Sequence, residues 1–214
     1  LAKEYSDIYT KQHFSELESQ RVEYLFRRNT EELNLVIAEL WDELHEAGYE
    51  PVAVEWGFED GEDMPKINIP STSMEAKLRG YIDRVDHYQI GDANYIRVVD
   101  YKTGQKEFKL SELFDGLNIQ MVLYLMALEK NGKSVYGDFI PSGILYLPSR
   151  IGVADYLKSR APKTEEISNQ KIVSGKLSGM ILESLSVLKG MGAIDSPKYF
   201  PAGYDDAKEK FTGN

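Results

Sequence analysis

Gly80-Tyr81-Ile82-Asp83-Arg84-Val85-Asp86-His87-Tyr88-Gln89-Ile90, then Gly91-Asp92, then Ala93-Asn94-Tyr95-Ile96-Arg97-Val98-Val99-Asp100-Tyr101-Lys102 is the stretch that decides the fold. Leu78–Tyr88 and Tyr95–Lys102 read as two strands, and Gly91-Asp92 between them is a hairpin turn signal. A two-residue loop sets Ile90 against Ala93. Counting back along both strands from that pair brings Asp83 directly opposite Asp100. Opposed residues share a face of the sheet, with Cα atoms about 4.5–5.5 Å apart. Lys102, two residues beyond Asp100, projects to that same face, and Arg84 to the other. A β-bulge in either strand would shift this register.

Two opposed carboxylates destabilise a bare hairpin. A cation held between them reverses the sign of that effect. Mg²⁺ takes oxygen ligands and keeps several waters, so Asp83 and Asp100 suffice as its protein anchor, with the backbone carbonyl of Tyr101 as a further oxygen. The Lys102 ammonium is a compact charge able to orient a water or offset charge on a phosphate. Asp83, Asp100 and Lys102 together point to metal-assisted phosphodiester hydrolysis. The competing reading is surface decoration, since Asp and Lys are common in exposed strands. Arg84 and Asp86 read as structural pairs or solvated positions. Gln120 and Tyr124, four apart on a predicted helix, share a face. They belong to the core and its boundary, or they reach toward the site and support it by orienting substrate or a water. Glu55 is an edge-strand surface residue or a further acid near the site. His13, His45 and His87 show no metal-like spacing and are read as non-ligands.

Working outward, Pro51–Phe58 reads as a strand and residues 59–73 as a loop, with Glu59, Asp60, Glu62 and Asp63 as a solvated acidic run. Asn29-Thr30-Glu31-Glu32 has the form of a helix start. Leu33, Ile37, Leu40 and Leu44, backed by Val36 and Trp41, would be that helix's packed stripe and Gly48 its stop. Leu110, Phe114, Leu117, Met121, Tyr124 and Leu128 predict one long helix over 110–130, ended by Asn131-Gly132. Ser142–Pro148 reads as a strand, and a helical patch is expected near Met180–Leu188. The order helix, strand, hairpin, helix, strand predicts an α/β (α+β) domain.

The 214 residues, 42% hydrophobic and 28% charged, allow one sizeable core. Residues 1–28 are expected to be a helical lead-in and 29–214 the domain itself. The chain starts at Leu1 rather than Met and is read as a piece of a longer protein. No run approaches the roughly 18 apolar residues of a membrane span. The absence of cysteine excludes disulfides and any Cys-ligated zinc or iron–sulfur site within the chain, and it fits a reducing cytoplasm. A net charge of −10 argues against a free-standing grip on nucleic acid. A partner would hold the substrate, or the acids would lie away from its path. There is no phosphate-binding G-x-x-x-x-G-K-[ST] loop, so ATP is not bound in that way, and no nucleophilic Ser or Cys motif.

Three of these segments resemble the RecB-like branch of the PD-(D/E)XK nuclease superfamily. Gly80-Tyr81-Ile82-Asp83-Arg84-Val85-Asp86 is similar to that family's G-x-I-D-R-x-D strand, and Asp100-Tyr101-Lys102-Thr103-Gly104 to its D-Y-K-T-G strand end. Gln120 to Tyr124 is similar to its Q-x-x-x-Y signature. Tyr49–Glu55 and Lys176–Glu183, with Val187, Leu188 and Met191, resemble flanking segments of the AddB family of helicase–nuclease subunits. The resemblance implies a restriction-endonuclease-like core, a mixed central sheet flanked by helices. It implies Asp83 and Asp100 as Mg²⁺ ligands, with Mn²⁺ able to substitute, Lys102 as the catalytic lysine, and Gln120 and Tyr124 as supports. The implied substrate is DNA and the implied partner an AddA-like helicase–nuclease protein, acting in double-strand-break repair by homologous recombination. Two features of the family have no counterpart here: an upstream metal-ligating His or acid, for which His13 is a poor match, and four iron–sulfur cysteines. Two other readings stand beside this one, a catalytically silent DNA-binding or scaffold domain and a stand-alone RecB-like nuclease.

Overall fold

The computed structural model describes residues 4–5, 7–9, 20–59, 65–69, 76–102, 108–148, 177–192 and 199–213. His13, Asp60, Glu62, Asp63, Thr103, Gly104 and Lys176, singled out above, lie outside those residues. A long helix, α1 (Gln20–Glu46), leads into β1 (Glu50–Phe58). Two short strands, β2 (Ile67–Ile69) and β3 (Ala76–Leu78), pair with each other. Then come the hairpin strands β4 (Gly80–Ile90) and β5 (Ala93–Lys102), the helices α2 (Leu110–Phe114), α3 (Gln120–Asn131) and α4 (Lys133–Tyr136), and β6 (Ile140–Pro148). β7 (Ser178–Ile181), α5 (Leu185–Gly190) and the hairpin β8 (Ala202–Asp205) and β9 (Lys210–Gly213) follow.

The central sheet has the order β1-β4-β5-β6-β7. β5 and β6 are parallel and the other neighbours antiparallel. A parallel pair needs a crossover, and the segment carrying α3 supplies it. This is the mixed sheet with flanking helices that the sequence predicts. One apolar cluster joins the sheet to α3 through Ile82, Val85, Ile96, Val98, Met121, Tyr124, Ala127 and Leu128. A second, on Tyr49, Tyr95, Val99, Leu145, Leu147, Val187 and Leu188, takes in α5 and, less deeply, Leu40 of α1. The end of α1 is fastened to the end of α5 by the N–H of Gly48, which donates to the Gly190 carbonyl at 2.8 Å. Both positions leave little room for a side chain. A Cβ at Gly48 would lie 2.7 Å from the Tyr88 ring, and one at Gly190 2.6 Å from it.

Five expectations need correction. α1 runs unbroken through Asn29–Glu32. Thr30 is not a cap: its hydroxyl bonds back to the Phe26 carbonyl at 2.9 Å, an arrangement a helix interior allows. The stripe of α1 is also rotated. Leu33, Ile37 and Trp41 are exposed, while Glu32, Val36 and Glu43 are buried, because two buried arginines of the sheet draw Glu43 inward. The 110–130 helix is two helices, interrupted where Gly116 and Asn118 adopt positive φ. The first half of its apolar stripe does not face the core, for Phe114 is 83% exposed. The patch near Met180 opens as strand β7, whose backbone pairs with the edge of β6, and only Leu185–Gly190 is helical. Finally, residues 67–69, expected as loop, form β2, because β3 offers them a partner strand.

Candidate metal centre

The hairpin turn holds as read. Gly91 has φ 56, and Ile90 faces Ala93. The counted register then continues pair by pair to Arg84 opposite Val99 and stops one step before Asp83 and Asp100. At that step a side chain takes over from the ladder: the N–H of Tyr101 donates to Asp83 Oδ2 at 2.8 Å. The change has a visible cause in both strands. Ile82 and Val85, three apart, pack into the same cluster, and so do Ala53 and Trp56 on β1. Strict alternation places residues three apart on opposite faces, so both strands change phase in between. The phase change on β4 falls beside Asp83. On β1 it falls beside Glu55, which has φ 50 and stands between the pairs Val54–Arg84 and Trp56–Ile82. A non-glycine residue with positive φ inside a strand is strained, and such strain clusters at functional sites. Glu55 is exposed and lies level with Asp83 on the neighbouring strand.

Asp100 is 2% exposed, and the Lys102 ammonium pairs with its Oδ2. Across the parallel pairing Asp100 stands beside Tyr146 of β6. The ammonium lies 5.5 Å from the centre of the Tyr146 ring. Burial, then the negative charges of Asp100 and Glu112, push the Tyr146 phenol above its ordinary value. Glu112 of α2 is therefore within electrostatic reach of the same hydroxyl. The sequence does not single out Tyr146 or Glu112, because neither a tyrosine in an apolar strand nor a glutamate in a helix carries a distinctive spacing. Only the parallel register of β5 and β6 brings Tyr146 to Asp100.

Gln120 and Tyr124 do meet, one turn apart, with Gln120 Nε2 donating to the Tyr124 hydroxyl. Tyr124 is buried, and its ring meets Phe58 edge-on at 5.7 Å. Gly80 allows this packing, since a Cβ there would come within 2.9 Å of Phe58. Among the described residues neither joins Asp83, Asp100 or Lys102 by a hydrogen bond.

Arg84 and Asp86 form a structural pair, at 2.8 Å between Nε and Oδ1. Two residues the sequence left unmarked complete it. Arg97 Nε lies 2.8 Å from Asp86 Oδ2, and its Nη2 2.6 Å from Glu43 Oε1 of α1. Arg97 also stacks over the Tyr49 ring at 4.2 Å. Burial alone would lower its pKa, but Asp86 and Glu43 raise it above the ordinary value.

Among the described residues no three His, Cys, Asp or Glu side chains gather in a way that holds a metal. The available donors at the sheet end are the Asp83 and Asp100 carboxylates and the Tyr101 carbonyl, all hard oxygens. A cationic group already lies against Asp100, as a buried carboxylate demands. This set fits a hard divalent ion that retains water, and it does not fit a thiophilic metal.

A mixed sheet that ends in an acidic pair with a lysine two residues on defines a class, and the sequence comparison agrees. The family model described as the PD-(D/E)XK nuclease superfamily matches residues 2–185, and the chain belongs to that superfamily. Within it, the chain is similar to proteins named as the AddB component of an ATP-dependent helicase/deoxyribonuclease. It is 32% identical over 174 residues to one from a Thermoanaerobacter species, covering 81% of the chain and 15% of that relative. It is 34% identical over 175 residues to one from Clostridium novyi, with the same coverage. For Ruminiclostridium cellulolyticum the figures are 36% over 152 residues, 70% of the chain and 13% of the relative. The chain thus spans about 15% of the length of such relatives.

Proposed function

We propose that this chain is the nuclease core of a larger helicase–nuclease protein and hydrolyses DNA phosphodiester bonds with Mg²⁺. Residues 29–214 form the core and 1–28 the lead-in. The observation that carries the reading is the bond from Tyr101 N–H to Asp83, which brings one carboxylate to the residue lying between Asp100 and Lys102. In this reading Asp83, Asp100 and the Tyr101 carbonyl hold the ion. Once bound, the ion polarises the phosphate and lowers the pKa of an attacking water. Lys102 then exchanges its Asp100 partner for the phosphate and offsets developing negative charge. Tyr146 keeps the ammonium near by presenting its ring face. Gln120 and Tyr124 support the site by fixing α3 against the start of β4. Glu55 is the nearest further acid on the neighbouring strand. The relatives' names support DNA as substrate and a helicase partner, AddA-like, in double-strand-break repair by recombination. Residence in the cytoplasm follows from that task.

A second reading has its own support. The net charge is −10 and no third acidic or imidazole ligand gathers among the described residues, which favours a catalytically silent domain that binds DNA or a partner. The test compares cleavage of end-labelled duplex and single-stranded DNA by the parent chain, Lys102→Ala and Asp100→Asn, with Mg²⁺ or Mn²⁺. Metal-dependent cleavage should fall by about 10²-fold or more in both variants, the scale of removing one transition-state charge partner. DNA binding with no metal-dependent cleavage in the parent would favour the silent domain.

A further inference from the structure

Arg84 is 1% exposed, and its guanidinium is clamped on two sides. Asp86 takes Nε and Nη2 at 2.8 and 2.9 Å, and Glu43 of α1 lies 3.6 Å from Nη2. A planar guanidinium held at two edges has little rotational freedom left. Its remaining nitrogen, Nη1, donates to the Tyr101 hydroxyl at 3.2 Å. Tyr101 therefore has two attachments to β4. Its hydroxyl accepts from Arg84 on the buried-charge side, and its main-chain N–H donates to the Asp83 carboxylate.

The place of these two bonds gives them weight. The β4–β5 ladder ends at Arg84–Val99, so the segment Asp100-Tyr101-Lys102 has no ladder pairing to β4. On its other side it pairs with β6 through Tyr146, Leu147 and Pro148. The Arg84–Tyr101 and Tyr101–Asp83 bonds stand where the missing ladder pairs would be. We infer that Arg84, held by Asp86 and Glu43, is a positioning residue for the candidate metal centre. It acts through Tyr101, fixing the strand end that bears Asp100 and Lys102 and the N–H that orients Asp83. α1 thereby has a mechanical link to the site through Glu43. What the carboxylates do rests on the nuclease reading; the link itself rests only on bonds within this chain.

Two readouts on the parent chain, Tyr101→Phe, Arg84→Lys and the double variant test the inference. The first is hydrogen exchange of the residue-101 amide by NMR, with Val98 as a core reference. Exchange at 101 should quicken on the order of three- to tenfold in each single variant, the size of one net hydrogen bond. The double variant should add little, because both changes cut one connection. Val98 should stay as in the parent. No change at 101, or a change shared equally by Val98, overturns the link, since general loosening accelerates every core amide. Tyr101→Phe decides the point alone if Arg84→Lys fails to fold.

The second readout is Mn²⁺ affinity by calorimetry, with Asp83→Asn as the control that loses binding. Affinity should weaken by a similar factor in Tyr101→Phe and Arg84→Lys. Quickened exchange with unchanged Mn²⁺ affinity overturns positioning. A parent that binds no Mn²⁺ sinks the metal-site reading and the positioning role with it, while the exchange result still upholds or overturns the link from Arg84 to Asp83.

Discussion

Two groups of charged residues occupy the same hairpin, and they are built on opposite plans. Glu43, Arg84, Asp86 and Arg97 are each no more than 3% exposed and balance to zero, two arginines against two acids. Each guanidinium faces both carboxylates or shares one of them. Around Asp83, Asp100 and Lys102 the acids outnumber the base. Asp83 and Lys102 are partly open to solvent, and Lys102 is the cation paired with Asp100. Burial is tolerable for ions only where partners are complete. The closed quartet is therefore architecture, and the open acidic set is available for a ligand. The two differ in what a neutralising substitution should do, and that difference can be measured.

The largest stability effect is expected from Asp86→Ala. It strands two buried guanidiniums at once and should lower the unfolding free energy by about 3–5 kcal/mol. Asp100→Asn should behave oppositely, with cleavage lost and stability changed by less than about 1 kcal/mol, because its main partner is an ammonium that can turn to water. Urea melts of both variants beside cleavage assays would check this. If Asp100→Asn proved the more destabilising of the two, the division between architecture and ligand site would collapse.

The same contrast explains what the sequence revealed. Asp83, Asp100 and Lys102 could be found because a two-residue turn fixes local register, and register is a counting problem. Glu43 and Arg97 could not, because their meeting depends on how α1 docks across the sheet. The apolar residues of α1 pointed the wrong way: Leu33, Ile37 and Trp41 form a plausible stripe by spacing, yet the buried face carries Glu32, Val36 and Glu43. Periodicity counts apolar residues and is blind to a glutamate drawn inward by two arginines. The phase change beside Asp83 was illegible for a related reason. It depends on Glu55 taking positive φ on another strand, and nothing in its neighbours announces that. The break in the 110–130 helix had signals, Gly116 and Asn118, which the continuous apolar spacing outweighed.

A smaller effect sharpens the boundary of the closed quartet. Tyr49 lies under Arg97, and its hydroxyl donates to Ser142 Oγ at 2.8 Å. Burial pushes its pKa up from 10.0 to about 12. A phenol whose folded pKa is raised stabilises the fold fully below the unfolded value, and that contribution is lost as pH climbs from about 10 toward 12. Up to about 2–3 kcal/mol is involved, at 1.36 kcal/mol per pH unit. Tyr49→Phe should remove this slope from the stability profile between those pH values. It should also cost about 1 kcal/mol at pH 7 through the lost hydrogen bond. An unchanged alkaline slope in Tyr49→Phe would mean that the phenol is not sealed by the quartet.

Gly190→Ala should have the smallest effect and is the most selective probe of the comparison. An added Cβ would meet Tyr88 at 2.6 Å and Tyr49 at 2.8 Å, so two rings must shift. Ring edges yield more readily than backbone, and overpacking of this kind costs about 1–2 kcal/mol. The strain falls on the Arg97 end of the quartet, because the next residue, Met191, takes the Arg97 Nη1 contact at 2.8 Å. The Arg84 end, which carries the bond to Tyr101, is not pressed. Stability should drop while the affinity for Mn²⁺ stays within about twofold of the parent. A metal affinity that fell in step with stability would show that the quartet transmits strain as one rigid body, and the separate role given to Arg84 would then belong to all four residues together.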